Sequence, residues 1–212
     1  MNERYSQYDF HRYCDVVRSR HSIIETLHAN YGYPPYWKRE NGLESMCKTI
    51  IEQQVSLTSA RAVFNRFKSI CPAIDATAIL SLNCTDFVRA GITRQKTSYL
   101  LSLAEKLQQD PEFFHHLEDD SDDIVYQKLI ALKGIGPWTA NVYMLVALNR
   151  MNRYPENDIA LIRSISKEAF HGEPLDNQTA RQFIEQFAPM RSIACCYYYQ
   201  AYIVRKRTEF IP

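Results

Sequence analysis

The sequence predicts an all-α protein, and three observations carry that prediction. Only 6 of its 212 residues are glycine, well under the usual share of about 7% and too few for a fold built on tight β-turns. Apolar residues recur three and four apart along most of the chain, which is the period of an amphipathic helix. No stretch reads as a β-hairpin, a repeat or a low-complexity tract.

The elements follow from that period. Residues 15–30 read as one helix, with Val16, Val17, Ile23, Ile24 and Leu27 as its apolar positions. YGYPPYWKRENG, residues 31–42, reads as a loop, because Pro34 and Pro35 cannot sit inside a helix. In residues 43–54, Leu43, Met46, Cys47, Ile50 and Ile51 form one apolar stripe. The next helix starts in VSLTSARAVFNRF, with Ser56 or Thr58 as its N-cap. DATAILSL is a short helix. After it come another short helix, a turn at Gly91, and a longer helix through Tyr99, Leu100, Leu103 and Leu107. The acidic run at 118–123 reads as a solvated loop that supplies caps and first-turn charge to a helix over 124–132. Residues 139–148 are apolar on nearly every face and are expected as a buried central helix. The linker NRMNRYPEN then leads to helices at 158–170, 177–187 and 190–205.

Charge and cysteine usage narrow the function. Net charge is +1, from 25 basic and 24 acidic residues, so a protein-wide basic field is excluded. A nucleic-acid partner would be held by local charge or by backbone amides. No apolar run approaches the ~20 residues of a membrane span. The first residues, MNERYSQYDFHRY, lack the apolar core of a secretory signal. Cys14, Cys47, Cys71, Cys84, Cys195 and Cys196 show no Cys-x-x-Cys pair. Reduced, buried thiols of a cytoplasmic protein are therefore expected.

The sharpest local feature is LKGIGPWTANVYMLVAL, residues 132–148. One helix ends near Leu132, another begins near Pro137, and Lys133, Gly134, Ile135 and Gly136 lie between them. Glycine permits positive φ and close approach of another backbone. Pro137 suits a first helical turn, where no amide donor is needed. Two readings fit. One is an ordinary αα-hairpin with a glycine C-cap. The other is a turn whose outward amides, with the next helix N-terminus, cradle a phosphate.

The wider pattern chooses between them. LKGIGPWTAN resembles the hairpin of the helix-hairpin-helix (HhH-GPD) DNA glycosylases, roughly Leu-Pro-Gly-Val-Gly-x-x-Thr-Ala. YPENDIALIRSI supplies Asp158 where that family carries an aspartate. IIEQQVSLTSARAV is similar to its Gln-Gln-Val-Ser segment, AGITRQKTSYLLSLA to its Gly-x-x-x-x-Lys helix, and FAPMRSIACCYYY to its Pro-Trp-Arg-Ser helix. The likeness runs in order from about Ser22 to Tyr202 and looks closest to the bacterial 3-methyladenine DNA glycosylases. It implies an all-α, two-lobed fold with an interlobe cleft for the base. One lobe would span 46–150 and contain the hairpin at about 124–148; the other would combine 1–45 with 151–212.

The resemblance also implies a reaction, hydrolysis of the N-glycosidic bond of an alkylated purine such as 3-methyladenine or 7-methylguanine in duplex DNA. Such enzymes turn the base out of the duplex. The sugar then develops oxocarbenium-like charge, which a carboxylate stabilises or relieves by activating water. Asp158 is the candidate carboxylate. It also stands where a helix N-cap would, and the two roles are compatible because a helix N-terminus favours an anion. In members that also cut the strand, a lysine two residues after the second glycine forms a Schiff base with the sugar. Trp138 holds that position here, so a monofunctional enzyme leaving an abasic site is expected. The four-cysteine iron–sulfur pattern of some relatives is missing, and no cofactor is expected to be required.

The remaining site residues follow by motif. Trp138 is expected to line the base pocket, where an electron-deficient purine stacks on an electron-rich ring. Tyr199 matches a second pocket aromatic, and Tyr36 and Trp37 lie in the loop before the Gln-Gln helix. Core packing is the alternative for each. Gln54 matches the side chain that fills the hole left by the flipped base; the alternative is that Gln53 and Gln54 only finish a helix. Lys133, Gly134, Gly136, Thr139 and Arg191 are the candidates for gripping the DNA backbone. The main-chain oxygens of Ile130, Leu132 and Ile135 match a site for a monovalent cation, Na+ or K+. Glu156 and Asn157 read as loop polar groups. Met190 replaces the tryptophan frequent in Pro-Trp-Arg-Ser, which leaves the substrate range open. The additional N-terminal β-rich domain of larger relatives is not expected. The expected protein is a cytoplasmic, nucleoid-associated monomer that binds damaged double-stranded DNA and no membrane. Rival readings are a glycosylase for a deaminated or mismatched base, a lyase-active member, and a non-catalytic hairpin module.

Overall fold

Helices account for nearly all regular structure in the computed structural model, which describes residues 4–206. In chain order they are α1 (Phe10–Arg20), α2 (Ser22–Tyr31), α3 (Leu43–Glu52), α4 (Leu57–Ile70), α5 (Ala76–Ser81), α6 (Cys84–Ala90), α7 (Arg94–Gln109), α8 (Phe113–Asp119), α9 (Asp122–Ile130), α10 (Pro137–Val146), α11 (Ile159–Ala169), α12 (Asn177–Glu185) and α13 (Arg191–Lys206). Among the described residues the β-structure is one isolated bridge between Arg4 and Arg150. The all-α class holds.

The chain divides into two compact units. One is Arg39–Tyr143; the other takes the described chain up to Lys38 and from Met144 onward. Both boundaries fall before the 45/46 and 150/151 expected from the sequence, and hydrogen bonds explain the shift. Arg39 binds Thr49 at 3.0 Å and Glu52 at 2.7 Å, and Asn41 binds the Phe114 carbonyl at 2.7 Å. Residues 39–42 are thereby tied to α3 and α8. At the second boundary, the Tyr5 amide donates to the Asn149 carbonyl at 3.1 Å, and its hydroxyl to the Leu145 carbonyl at 3.2 Å. The end of α10 therefore belongs with the N-terminal segment.

In the unit Arg39–Tyr143, the core gathers Met46, Ile50, Phe67, Phe87, Leu100 and Leu129. Side-chain caps fix the helix starts. Ser56 accepts from the Ser59 amide, Thr93 from the Lys96 amide and Ser121 from the Ile124 amide, while Asn83 and Asp86 form a reciprocal capping box. Gly91 closes α6 in the left-handed conformation at φ 83°. α8 was not expected from the sequence. It takes Glu118 and Asp119 from the predicted acidic loop, and α9 takes Asp122 and Asp123 into its first turn.

In the other unit, α13 is buried along its first half, from Ser192 to Tyr198, and Ile193, Tyr197 and Ala201 are fully enclosed. The single helix expected at 15–30 is two helices. His21 is extended, with φ −135° and ψ 107°. Its carbonyl accepts from the Ile24 and Glu25 amides at 2.9 and 3.1 Å, so it ends α1 and opens α2.

Candidate active site

The hairpin between α9 and α10 is a tight turn. The Ile135 amide donates to the Leu132 carbonyl at 3.1 Å, and the Ala140 amide to the Gly136 carbonyl at 3.0 Å. Gly134 sits at φ +80°, and a Cβ there would lie 2.3 Å from the Tyr99 ring. The protein's own packing thus demands glycine at 134 twice over. At Gly136 a Cβ would meet nothing within 4 Å, which leaves that side of the turn open to approach. Trp138 follows in the first turn of α10, partly exposed. Thr139, expected at the DNA backbone, is 3% exposed, and its hydroxyl accepts from Gln53 Nε2 at 2.9 Å. The same Nε2 reaches the Gly134 carbonyl at 2.9 Å. Lys133 lines a cavity of about 410 Å³ with Lys106, Lys128 and His116. Asp110 lines it too, and Lys106 and Lys128 are paired with Asp110 and Asp120.

The segment between α3 and α4 is held from below. Lys96 Nζ donates to the Ile51 and Gln53 carbonyls at 2.7 and 2.8 Å, satisfying two acceptors that the end of α3 leaves over. Burial pulls the Lys96 pKa below the usual lysine range. Gln53 turns inward to the hairpin. Gln54 is exposed and left-handed at φ 57°, a conformation that a non-glycine residue keeps only when its surroundings impose it. Val55 and Leu57, also on this segment, are 46% and 38% exposed.

Asp158 belongs to the other unit and caps α11. Its Oδ1 accepts from the Leu161 amide at 2.8 Å. Tyr199, on α13, feels the charge of the same carboxylate. Burial, and after it the negative charge of Asp158, hold the Tyr199 pKa well above the usual tyrosine range, so the hydroxyl keeps its proton. Asn157, left-handed at φ 60°, makes the turn into the cap. Ser164 Oγ donates to the Tyr198 carbonyl at 2.6 Å, and Arg205 pairs with Glu168, which pins α11 against α13.

The linker before Asp158 is clamped by the start of α13. The Ser192 amide donates to the Met151 carbonyl at 3.0 Å, and Ser192 Oγ accepts from the Arg153 amide at 3.0 Å. Arg191, expected on the DNA backbone, donates to Asn152 Oδ1 at 2.8 Å, pairs with Glu185 at 2.7 Å and lies 5.6 Å from the Tyr154 ring centre. Its guanidinium is engaged inside its own unit. Tyr36 donates to Asn149 Oδ1 at 3.2 Å and packs on Phe10 at 5.5 Å. Trp37 is 6% exposed and Met190 is 7% exposed, so both are buried. Glu156 lies 3.9 Å from Arg181. The cysteines are free, with Cys84 exposed and the other five buried.

Two partnerships escaped the sequence reading: Lys96 with the end of α3, and Tyr99 with Gly134. Lys96 was visible as a motif residue. What it binds depends on how distant segments pack.

Residues 47–189 match the family described as HhH-GPD superfamily base excision DNA repair protein. A DNA-3-methyladenine glycosylase of Saccharomyces cerevisiae is 26% identical over 192 residues, which cover 82% of this chain and 64% of the relative. DNA-3-methyladenine glycosylase 1 of Schizosaccharomyces pombe is 29% identical over 142 residues, 64% of this chain and 61% of the relative. The chain thus spans slightly less than two thirds of the length of these curated relatives. Among solved structures, the S. pombe 3-methyladenine DNA glycosylase Mag1 in complex with abasic DNA superposes with a TM-score of 0.80 at 23% identity, over 88% of this chain and 95% of that one. The DNA-3-methyladenine glycosidase of Bacillus halodurans gives 0.73 at 24% identity, over 90% and 89%. These likenesses concern the fold. With its motifs in order and its family match covering most of the sequence, the chain belongs to the HhH-GPD superfamily of base excision DNA repair proteins.

Proposed function

We propose that this chain is a monofunctional DNA glycosylase that removes alkylated purines from double-stranded DNA and leaves an abasic site. The carrying observation is Asp158, a carboxylate held at a helix N-terminus by a main-chain amide at 2.8 Å. The names of the S. cerevisiae and S. pombe relatives support the substrate class.

The proposed steps use residues already described. Amides at Gly134 and Gly136 hold a backbone phosphate, and Lys133 adds charge. Gln54, already turned outward, fills the space of the flipped base. The base stacks on Trp138, which suits the positive charge of an N3- or N7-alkylated purine. The glycosidic electron pair leaves with the base. Asp158 opposes the positive charge that develops on the sugar, and water adds to C1′ and loses a proton to solvent. Position 138 offers no amine, so no Schiff base forms and the strand stays intact. The main-chain oxygens of Ile130, Leu132 and Ile135 suit a monovalent cation. Leu132 O accepts one hydrogen bond at 3.1 Å, and a carbonyl keeps a second lone pair for coordination. The protein would act as a monomer in the cytoplasm, and no further cofactor enters the reaction.

The test is a substrate panel. Purified protein should release 3-methyladenine and 7-methylguanine from alkylated duplex and leave hypoxanthine and uracil. Asp158→Asn should slow release at least about 100-fold, the scale of losing an electrostatic stabiliser. Wild-type rates from Asp158→Asn would end the enzyme reading. A borohydride-trapped protein–DNA adduct would end the monofunctional one.

A further inference from the structure

We propose that the cavity between the linker 154–157, α11 and α12 binds a free purine base carrying an exocyclic amino group, of the adenine type. Such a site lies outside the proposed reaction and does not depend on Asp158 being catalytic. The cavity has a volume of about 240 Å³ and lies wholly within one unit of the chain. Pockets for drug-sized molecules begin at about 300 Å³, so its occupant is smaller. Leu161, Ile165, Ala180 and Ile184 are buried and give it an apolar floor. Glu156, Asn177, Gln178 and Arg181 bring a carboxylate, two amides and a guanidinium to the same space. Glu156 and Arg181 stand 3.9 Å apart and are well exposed, so parting them costs little.

Tyr154 supplies an independent sign of a ligand. It lines the cavity and is 6% exposed, and its buried hydroxyl has no hydrogen-bond partner among the described residues. A buried hydroxyl left unpaired is destabilising, and native proteins keep few of them without a reason. The charged neighbour on its ring does not satisfy it. Arg191 lies 5.6 Å from the ring centre and is itself held by Asn152 and Glu185. Burial pushes the Tyr154 pKa up to about 12, so the hydroxyl keeps its proton and remains a donor.

These groups select the ligand. A flat ring fits an apolar floor, and a ring nitrogen accepts from a tyrosine hydroxyl. Asn and Gln amides pair at two points with the amino group and adjacent ring nitrogen of adenine, and a carboxylate accepts from an exocyclic amine. Arg181 is the one cation lining the described cavity and already faces Glu156. A phosphate would find little to hold it, which favours the free base over a nucleotide.

The experiment titrates free adenine into the full chain and reads binding by calorimetry, with no catalysis involved. Wild type should bind with a Kd of about 1 mM or tighter. Tyr154→Phe should weaken binding about tenfold, the scale of one lost hydrogen bond, and should unfold no earlier than wild type because the unpaired hydroxyl is gone. Ala180→Leu, which fills the floor, should abolish binding. Unsubstituted purine, which lacks the amino group, should bind at least about threefold more weakly than adenine. Trp138→Ala and Asp158→Asn should bind adenine like wild type, so failure of the glycosylase reading leaves this site standing. Absence of saturable binding up to about 10 mM means that the cavity holds only water and ends the proposal. Unchanged affinity in Tyr154→Phe or Ala180→Leu, or purine binding as tightly as adenine, also overturns it. So does a loss in Trp138→Ala, which assigns adenine to the proposed stacking ring instead. Should Ala180→Leu fail to fold, Tyr154→Phe alone decides.

Discussion

Gly134 and Gly136 share one turn but answer to different constraints. Gly134 is left-handed and pressed against the Tyr99 ring, whereas a side chain at Gly136 would enter open space. Gly134→Ala should lower the midpoint of thermal unfolding by several degrees, because strain and a ring clash cost roughly 1–3 kcal/mol. Gly136→Ala should melt like wild type and lose about tenfold or more in affinity for abasic duplex, as expected if a phosphate approaches there. Equal losses of stability would remove the distinction. Lys48 offers a second contrast. Burial first, then the neighbouring Arg39 charge, bring its pKa down to about 8. The charged form is thus disfavoured in the fold at neutral pH. Lys48→Met should stabilise the protein at pH 7 by about 1 kcal/mol. The wild type should regain that difference as pH rises from about 8 toward the unfolded value near 10.4, since only its folded state sheds the proton there. Urea unfolding at pH 7 and pH 9.5 reads both signs. At this scale the sequence revealed residue types at motif positions, including Asp158 and Tyr199. It did not reveal what surrounds them, which depends on how α11 and α13 pack.

Among the elements, those with a cap or a long apolar stripe were legible. α4, α7 and α10–α13 were foreseen within a few residues, because Ser56, Pro137 and Asp158 mark starts and apolar stripes mark the rest. α8 was missed because three apolar residues, Phe113, Phe114 and Leu117, are too few to establish a period. The break at His21 was missed because apolar residues fall on the buried side both before and after it. The end of α3 shows an element whose finish lies in another helix. Lys96 of α7 accounts for two of its carbonyls, at 2.7 and 2.8 Å, and so sets the exit of Gln53 and Gln54. Lys96→Met keeps the stem and removes the donor. It should slow base release from duplex DNA about tenfold, and from single strands much less, because only a duplex has a gap to fill. Gln54→Ala should show the same substrate split without loss of stability. A Lys96→Met variant equally slow on both substrates would argue against a loop-presenting role.

For the whole molecule, charge balance bears on how DNA would be held under the proposed function. The chain carries +1 net charge, so attraction to DNA would come from local charge. Lys106, Lys128 and Lys133 gather beside the hairpin, but Lys106 is paired with Asp110 at 3.1 Å and Lys128 with Asp120 at 2.5 Å. Arg191 is paired with Glu185 at 2.7 Å. Each pair must open before its cation can replace a counterion on DNA, which opposes full engagement. Few phosphates should therefore be neutralised, and most of the grip should come from uncharged amides of the turn. Counterion release turns this into a number. The slope of log affinity for abasic duplex against log salt should be about −2 to −4, which corresponds to roughly two to four neutralised phosphates. Lys133→Ala should make the slope shallower by about one. Asp110→Asn should make it steeper by freeing Lys106, if that lysine reaches the backbone at all. A wild-type slope near −8 would require a broad basic face and would overturn this reading, in which Lys106 and Lys128 beside the hairpin are already paired.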